Sequence, residues 1–322
     1  MTFRSRAVRA LVVGLAAAAT ALVPTVASAA DGGLIAFSTG FVTIGPDLDN
    51  PSQVVTVRPD GTHQRQLTHV AAGKQAGAPD ISPDRRWIVY VSNQGADNFA
   101  VWAMRTDGTR QHRLFGRAGF DYFQPRWSPD GRRLVVTQCD ATLGFVSGCA
   151  LLVTRTDGTH RRVLFDRHRY SGNASFSPDG KWVVFDSDLG GFDSAIWKVR
   201  SRGGGLVRLT RPSLLAFWPH WSPNGRHLVL SSNCCQPLSQ VFTMRANGSH
   251  LRQLTHATGG GGPSFASYAP GGGRIVFTSD QSRGPAFDRS DLWVMRTDGS
   301  HAHRIVSNQR NAVGADWSRR AR

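Results

Sequence analysis

The sequence has no apolar run long enough to span a bilayer. The longest, from Leu11 to Val23, falls short of the about 20 residues that a transmembrane helix needs. It contains no Gly-x-Ser-x-Gly, which excludes the nucleophile elbow of an α/β-hydrolase domain. Lysine is nearly absent, occurring only as Lys74, Lys181 and Lys198. Acidic residues number 22 against 38 basic ones, so the formal net charge of +16 is carried almost wholly by arginine. With 40% hydrophobic residues the composition is not that of a disordered chain.

The one apolar run follows Arg4, Arg6 and Arg9 and precedes Ala27-Ser28-Ala29, a small-x-small pattern. A basic segment, a short apolar core and such a site together predict a signal peptide over residues 1–29, cleaved near Ala29 or Ala30. A secreted, periplasmic or cell-envelope location follows. The three leader arginines account for three of the sixteen net charges, leaving about +13 on residues 30–322. Such a surface attracts polyanions through its long-range field. Export removes intracellular nucleic acid from the expected partners and leaves a protein or a cell-envelope component, with a soluble monomer as the expected state.

One turn recurs at intervals of 45 to 49 residues: Ser82-Pro83-Asp84-Arg85, Ser128-Pro129-Asp130-Gly131, Ser177-Pro178-Asp179-Gly180 and Ser222-Pro223-Asn224-Gly225. A weaker copy starts at Ala269-Pro270 and a sixth begins at Trp317-Ser318. Proline fixes φ at the first central position, Asp or Asn suits the second, and glycine accepts the left-handed conformation. β-branched and aromatic runs such as Trp87-Ile88-Val89-Tyr90 and Trp182-Val183-Val184-Phe185 follow these turns and read as buried strands. Each unit turns again at Asp60-Gly61, Asp107-Gly108, Asp157-Gly158, Gly203-Gly204, Asn247-Gly248 or Asp298-Gly299, and Asx-Gly between strands signals a hairpin. Each unit is therefore a four-stranded meander, A to D, and the expected fold is an all-β, six-bladed propeller occupying residues 30–322. Leu34 to Ser38 matches strand B with no strand A before it, so residues 315–318 are expected to supply the missing strand and close the ring.

Trp127 to Gly131, Val294 to Gly299 and Arg252 to Thr255 resemble the TolB-like, WD40-like propeller repeat. The resemblance covers residues 30–322 and implies the propeller fold. Function is less constrained, because the same repeat serves envelope-assembly proteins and the propellers of peptidases. TolB itself carries an additional amino-terminal domain that has no counterpart before Leu34.

His63, His160, His250 and His301 recur after the second hairpin, and Arg65, Arg113, Arg162, Arg208, Arg252 and Arg304 recur on strand D. Their periodicity marks them as features of the fold, on blades too far apart to share one metal at about 2 Å. Trp102, Trp197, Phe242 and Trp293 on strand C, with Trp87 and Trp182 on strand B, read as packing between blades. The turn aspartates lack the downstream Thr-Trp of sialidase Asp boxes and read as turn formers. Residues outside the repeat are the better candidates: Phe120, Asp121, Tyr122 and Phe123; Arg167, His168, Arg169 and Tyr170; Phe217 and Trp218. Exposed aromatics mixed with arginine have the composition of binding hot spots. The alternative is that several fold back as lids on the blades. No catalytic residue, metal or cofactor is expected. Should the propeller be an enzyme acting on an extracellular polymer, Asp121, His168, His220 and Asp280 are the first candidates for acid-base work. Of the three connectivities that four cysteines allow, Cys139–Cys149 with Cys234–Cys235 is favoured, the second pair being strained because the residues are adjacent.

Overall fold

The computed structural model describes residues 33–40, 51–95, 98–142, 148–166, 170–189, 194–234, 238–258, 262–279, 290–307 and 312–317. The leader, Arg167, His168, Arg169, Cys235 and Asp280 lie outside the described residues. Six four-stranded antiparallel sheets form the blades of a propeller. Blade 1 contains β1 (Ile35–Ser38), β2 (Val54–Val57) and β3 (Arg65–Gln66). Blade 2 is β4 (Ala76–Ile81), β5 (Trp87–Ser92), β6 (Ala100–Arg105) and β7 (His112–Phe115). Blade 3 is β8 (Phe120–Trp127), β9 (Arg133–Asp140), β10 (Cys149–Arg155) and β11 (Arg162–Asp166). Blade 4 is β12 (Ser171–Phe176), β13 (Trp182–Ser187), β14 (Ala195–Arg200) and β15 (Val207–Arg208). Blade 5 is β16 (Ala216–Trp221), β17 (His227–Ser232), β18 (Gln240–Arg245) and β19 (Arg252–Gln253). Blade 6 is β20 (Ser264–Tyr268), β21 (Arg274–Ser279), β22 (Asp291–Arg296) and β23 (His303–Val306). The last strand, β24 (Val313–Trp317), pairs with β1 and completes blade 1 in the order β24-β1-β2-β3, which closes the ring as expected.

Strand B is apolar on both faces because each blade packs against two neighbours. Ile35 and Phe37 turn toward Val276, Leu292 and Val294 of blade 6, while Ala36 turns toward Ile88, Tyr90 and Met104 of blade 2. The same alternation builds four more cores, so that Val89 meets Leu134 and Val135 meets Val183. A side-chain period of two explains the pattern.

The turns follow their local chemistry. In the first of the Pro-containing turns Ser82 Oγ donates to Asp84 Oδ1 at 2.6 Å, and Trp87 N–H returns to Ser82 Oγ at 3.0 Å. In five of the second hairpins an Asp or Asn carboxyl or carbonyl oxygen accepts the N–H two residues on, as Asp60 does from Thr62 at 2.9 Å. His63, His160, His250 and His301 occupy the left-handed position that closes these hairpins, with φ between 52° and 56°. They are exposed, as are the six strand-D arginines. Cys139 and Cys149 sit opposite each other on β9 and β10 and are disulfide-bonded. Cys234 is disulfide-bonded as well, and no cysteine is free among the described residues. Replacing Cys139 and Cys149 together by Ala should lower unfolding free energy by about 2–3 kcal/mol, as expected for a loop of this length. Denaturant midpoints under oxidising conditions check this.

Candidate functional site

The innermost strands line a central channel, and each bends at the same place. The pairing of strands A and B slips by one register step at Gly77/Asp80, Phe123/Arg126, Gly172/Ser175, Phe217/His220 and Ser264/Ser267, with a matching irregularity in blade 1. At each bulge one residue takes a left-handed conformation: Ala78, Gln124, Asn173, Trp218, Phe265 and Gly314, with φ from 49° to 62°. A β-bulge re-aims a side chain and increases local twist. Here it creates an upper tier of six channel-lining positions. Two residues further on lies a lower tier of Asp80, Arg126, Ser175, His220, Ser267 and Asp316.

The lower tier stitches the blades together. Asp316 Oδ2 accepts Ile81 N–H at 3.0 Å, Asp80 Oδ2 accepts Trp127 N–H at 2.6 Å, and Ser267 Oγ donates to Ala315 O at 2.9 Å. Arg126 Nη1 pairs with Asp80 Oδ1 at 3.1 Å. Burial and the neighbouring Asp316 carboxylate push the Asp80 carboxyl up to about 7, against the pull of Arg126. Burial holds the His220 imidazole down at about 4, and its Nδ1 is buried without a partner.

The upper tier is unequal around the ring, and it encloses a cavity of about 460 Å³ among the starts of strand A and the ends of strand B. One wall is aromatic. The Trp218 ring stacks on Phe265 at 3.5 Å between centroids, and Phe217 meets Trp218 edge-on at 4.8 Å. The facing wall is polar: Gln124 Oε1 accepts Asn173 N–H at 3.0 Å, and Asn173 Nδ2 donates to Tyr170 OH at 2.9 Å and to Asp186 Oδ2 at 3.1 Å. Burial pushes the Asp186 carboxyl up to about 8. Burial and the Asp186 charge raise the Tyr170 phenol well above its usual value. Ser38, Ala78 and Gly314 leave the remaining side open.

Of the residues singled out from sequence, Phe123, Tyr170, Phe217 and Trp218 line this cavity. Phe123 is nearly buried there, against Phe99 at 5.7 Å. Tyr122 is fully buried, edge-on to Phe115 at 5.6 Å with its hydroxyl taking a hydrogen bond from Arg161, so it belongs to the core between blades 2 and 3. Asp121 is buried and accepts Phe99 N–H at 2.7 Å, which ties the same two blades. Phe120 is half-buried beneath the Arg117 guanidinium. Of the acid-base candidates, only His220 among the described residues lies in the channel wall. Phe265, Gln124, Asn173 and Asp186 escaped the sequence reading. The signal was present all the same: five of the six left-handed positions stand four residues before the Ser of the recurring turn, and aligning the repeats on that Ser isolates Gln124, Asn173 and Trp218 as bulky or polar against Ala78 and Gly314.

A sequence profile described as the TolB beta propeller domain, PD40, matches residues 59–321. The chain belongs to the TolB beta propeller domain family. Among curated relatives, the uncharacterized protein Atu1656 of Agrobacterium fabrum is 28% identical over 213 residues, 65% of each chain. The chain therefore spans somewhat less than two thirds of that relative. Among solved structures, TolB from Acinetobacter baumannii superposes with a TM-score of 0.71 at 19% identity, covering 89% of this chain and 66% of the other. An oligogalacturonate lyase in complex with manganese superposes at 0.57 and 17% identity, covering 80% and 71%. These likenesses show the fold of this TolB-family propeller. No cluster of three or more side chains able to hold a metal occurs among the described residues, and no helix among them is long and apolar enough to cross a membrane.

Proposed function

We propose that this TolB-family propeller is an exported binding module that seats a protein or cell-envelope component in the mouth of its channel. The observation that carries this reading is where the six-fold repeat breaks down. Every blade contributes the same bulge, yet the side chains placed there run from none at Gly314 to indole at Trp218. Left-handed φ at bulky residues costs about 1–3 kcal/mol each and is retained where the side chain's aim matters. Half-exposed Phe217, Trp218 and Phe265 are aromatic anchors held ready at low entropic cost.

A lyase- or hydrolase-like reading has one observation behind it. Asp316 interacts electrostatically with Asp80 of the next blade and, across the channel, with His220. Against it, both carboxylates spend lone pairs on backbone N–H groups of the next blade, which leaves them poorly placed to exchange protons with a substrate.

Replacing Phe217 and Trp218 together by Ala should weaken capture of a partner from the native envelope or culture fraction at least thirtyfold. One anchor of about 2 kcal/mol accounts for thirtyfold, and the losses at two touching anchors need not add. The joint replacement of His63, His160, His250 and His301 should leave capture intact. Loss of capture in the histidine set alone would place binding at the second hairpins, and polymer cleavage abolished by His220→Ala would establish the enzyme.

A further inference from the structure

We infer that the Asp186 corner of the channel mouth is a recognition subsite for a primary ammonium group, carried by a lysine side chain or by a chain N-terminus. The inference rests on the mouth being a binding site and adds the chemistry of what enters it.

Asp186 is a departure from the repeat. It sits on β13 opposite Gly172. The equivalent positions in the other blades are Ser38, Val91, Thr137, Ser231 and Thr278. All five are small and uncharged, so the fold itself does not call for a carboxyl group there. Asp186 is only 1% exposed, yet it lines the cavity. Its Oδ2 accepts from Asn173, but its Oδ1 has no hydrogen-bond partner among the described residues. The Ser194 hydroxyl, which also lines the cavity, is a second buried group without a partner among the described residues. A buried polar atom left unmatched costs about 1–3 kcal/mol, more if charged. Such a cost is recovered when a ligand supplies the missing group.

The surroundings select a cation. No ion pair with Asp186 occurs among the described residues. The Trp218 backbone N–H is directed at this carboxyl group without closing a hydrogen bond to it. The Trp218 ring brings an electron-rich face beside it, and Phe217 and Phe265 extend that wall. A carboxylate next to aromatic faces is the arrangement that holds ammonium groups. An anion would oppose ionisation of the Asp186 carboxyl, whereas an ammonium group favours it. Arg126 also lines the cavity, but its guanidinium is paired with Asp80 at 3.1 Å in the lower tier. His220 is neutral above about 4, and Asp316, bound to Ile81 N–H, adds negative charge on the same side as Asp80. A volume of about 460 Å³ admits one side chain or chain end.

The test is isothermal titration calorimetry with three probes: Nα-acetyllysinamide, glycylphenylalaninamide, and neutral Nα,Nε-diacetyllysinamide. At neutral pH at least one cationic probe should bind tenfold or more tightly than the neutral one, and which of the two does so separates a side-chain ammonium from a chain N-terminus. Asp186→Asn should erase the preference. In the free protein the Asp186 carboxyl is held protonated to about 8, so Nα-acetyllysinamide should displace a proton and bind more tightly as pH rises toward that value. Its own ammonium, with a pKa of about 10.4, stays charged throughout. That pH series in the unaltered protein decides the matter if Asp186→Asn does not fold. Equal binding of the neutral probe, an undiminished preference in Asp186→Asn, a pH slope that survives in that variant, or no binding of either cation overturns the inference. The first two results would leave the mouth a binding site of other chemistry, provided that the Phe217 and Trp218 replacements still abolish capture.

Discussion

Deletion of residues 313–322 should leave a protein that aggregates or fails to fold cooperatively. β24 is the innermost strand of blade 1, and its loss strips β1 of a partner along Ile35, Ala36 and Ser38. It also removes Ala315 and Trp317, buried in the core shared by blades 6 and 1, and Val313, buried beside the cavity. Burial of a large apolar side chain is worth about 1.5–3 kcal/mol, and Trp317 and Val313 alone approach the lower end of the 5–15 kcal/mol that holds a typical domain together. Two stitches of the lower tier go as well, the Asp316 bond to Ile81 N–H and the Ser267 bond to Ala315 O. The exposed edges of β1 and of the blade 6 face then become templates for intermolecular pairing. Size-exclusion chromatography and thermal melts check this, with Trp317→Ala, which keeps the backbone pairing, as the milder comparison. A truncated chain as monodisperse and as heat-stable as the parent would show that the ring does not depend on its closing strand.

The fold was readable because its punctuation is local. Pro83, Asp84 and the Asx-Gly pairs specify turns within four residues, and the apolar runs between them specify strands, so six units follow by counting. The placement of the hairpin histidines was equally local, since a left-handed residue must follow each Gly-Thr or Gly-Ser. The cavity was less readable because no single blade builds it. Tyr122 looked like an unpatterned loop aromatic, yet it occupies the buried position of strand A that Ala76, Ser171, Ala216 and Ala312 hold in other blades. Its size, not its position, broke the pattern. Phe265 and Asn173 were missed for the converse reason: they lie inside a strand, and the bulge that turns them into the channel leaves no residue-type signature of its own. Asp186 sits in a strand-B run that reads as core, and only the ring of its five small equivalents exposes it as foreign.

Raising the pH from about 5 to about 8 should lower the melting temperature, the reverse of what a surface rich in paired carboxylates would give. Asp80 and Asp186 are held at about 7 and about 8 against an ordinary value of 3.8. The folded protein therefore keeps two protons that the unfolded chain releases, and stability falls as pH rises through each window, from about 4 to about 7 for Asp80 and to about 8 for Asp186. His220 works in the other direction. Its imidazole stays neutral in the fold down to about 4 where the unfolded chain takes a proton at 6.5, so it adds stability as pH rises between those values. The histidine offsets one carboxylate below 6.5, and the steepest loss lies from there to about 7, continuing more gently to about 8. At the acid end Asp60, Asp107, Asp157 and Asp298 act oppositely. Hydrogen bonds from Thr62, Thr109, Thr159 and Ser300 depress them below 3.8, so their stabilisation is present above that value and is lost as pH falls through their lower folded values. These groups are exposed, and solvent keeps that limb shallow. Maximum stability is thus expected near pH about 4, with a shallow decline from there to about 6.5, measured as melting temperature by calorimetry across the range. Asp186→Asn should flatten the profile between about 7 and about 8, cancel the shallow loss below 6.5, where His220 then balances Asp80, and leave only the Asp80 loss between about 6.5 and about 7. A melting temperature that holds or rises from pH about 6 to about 8 would mean that water or a counter-charge reaches the channel carboxyls and that the burial driving both shifts is not maintained in solution.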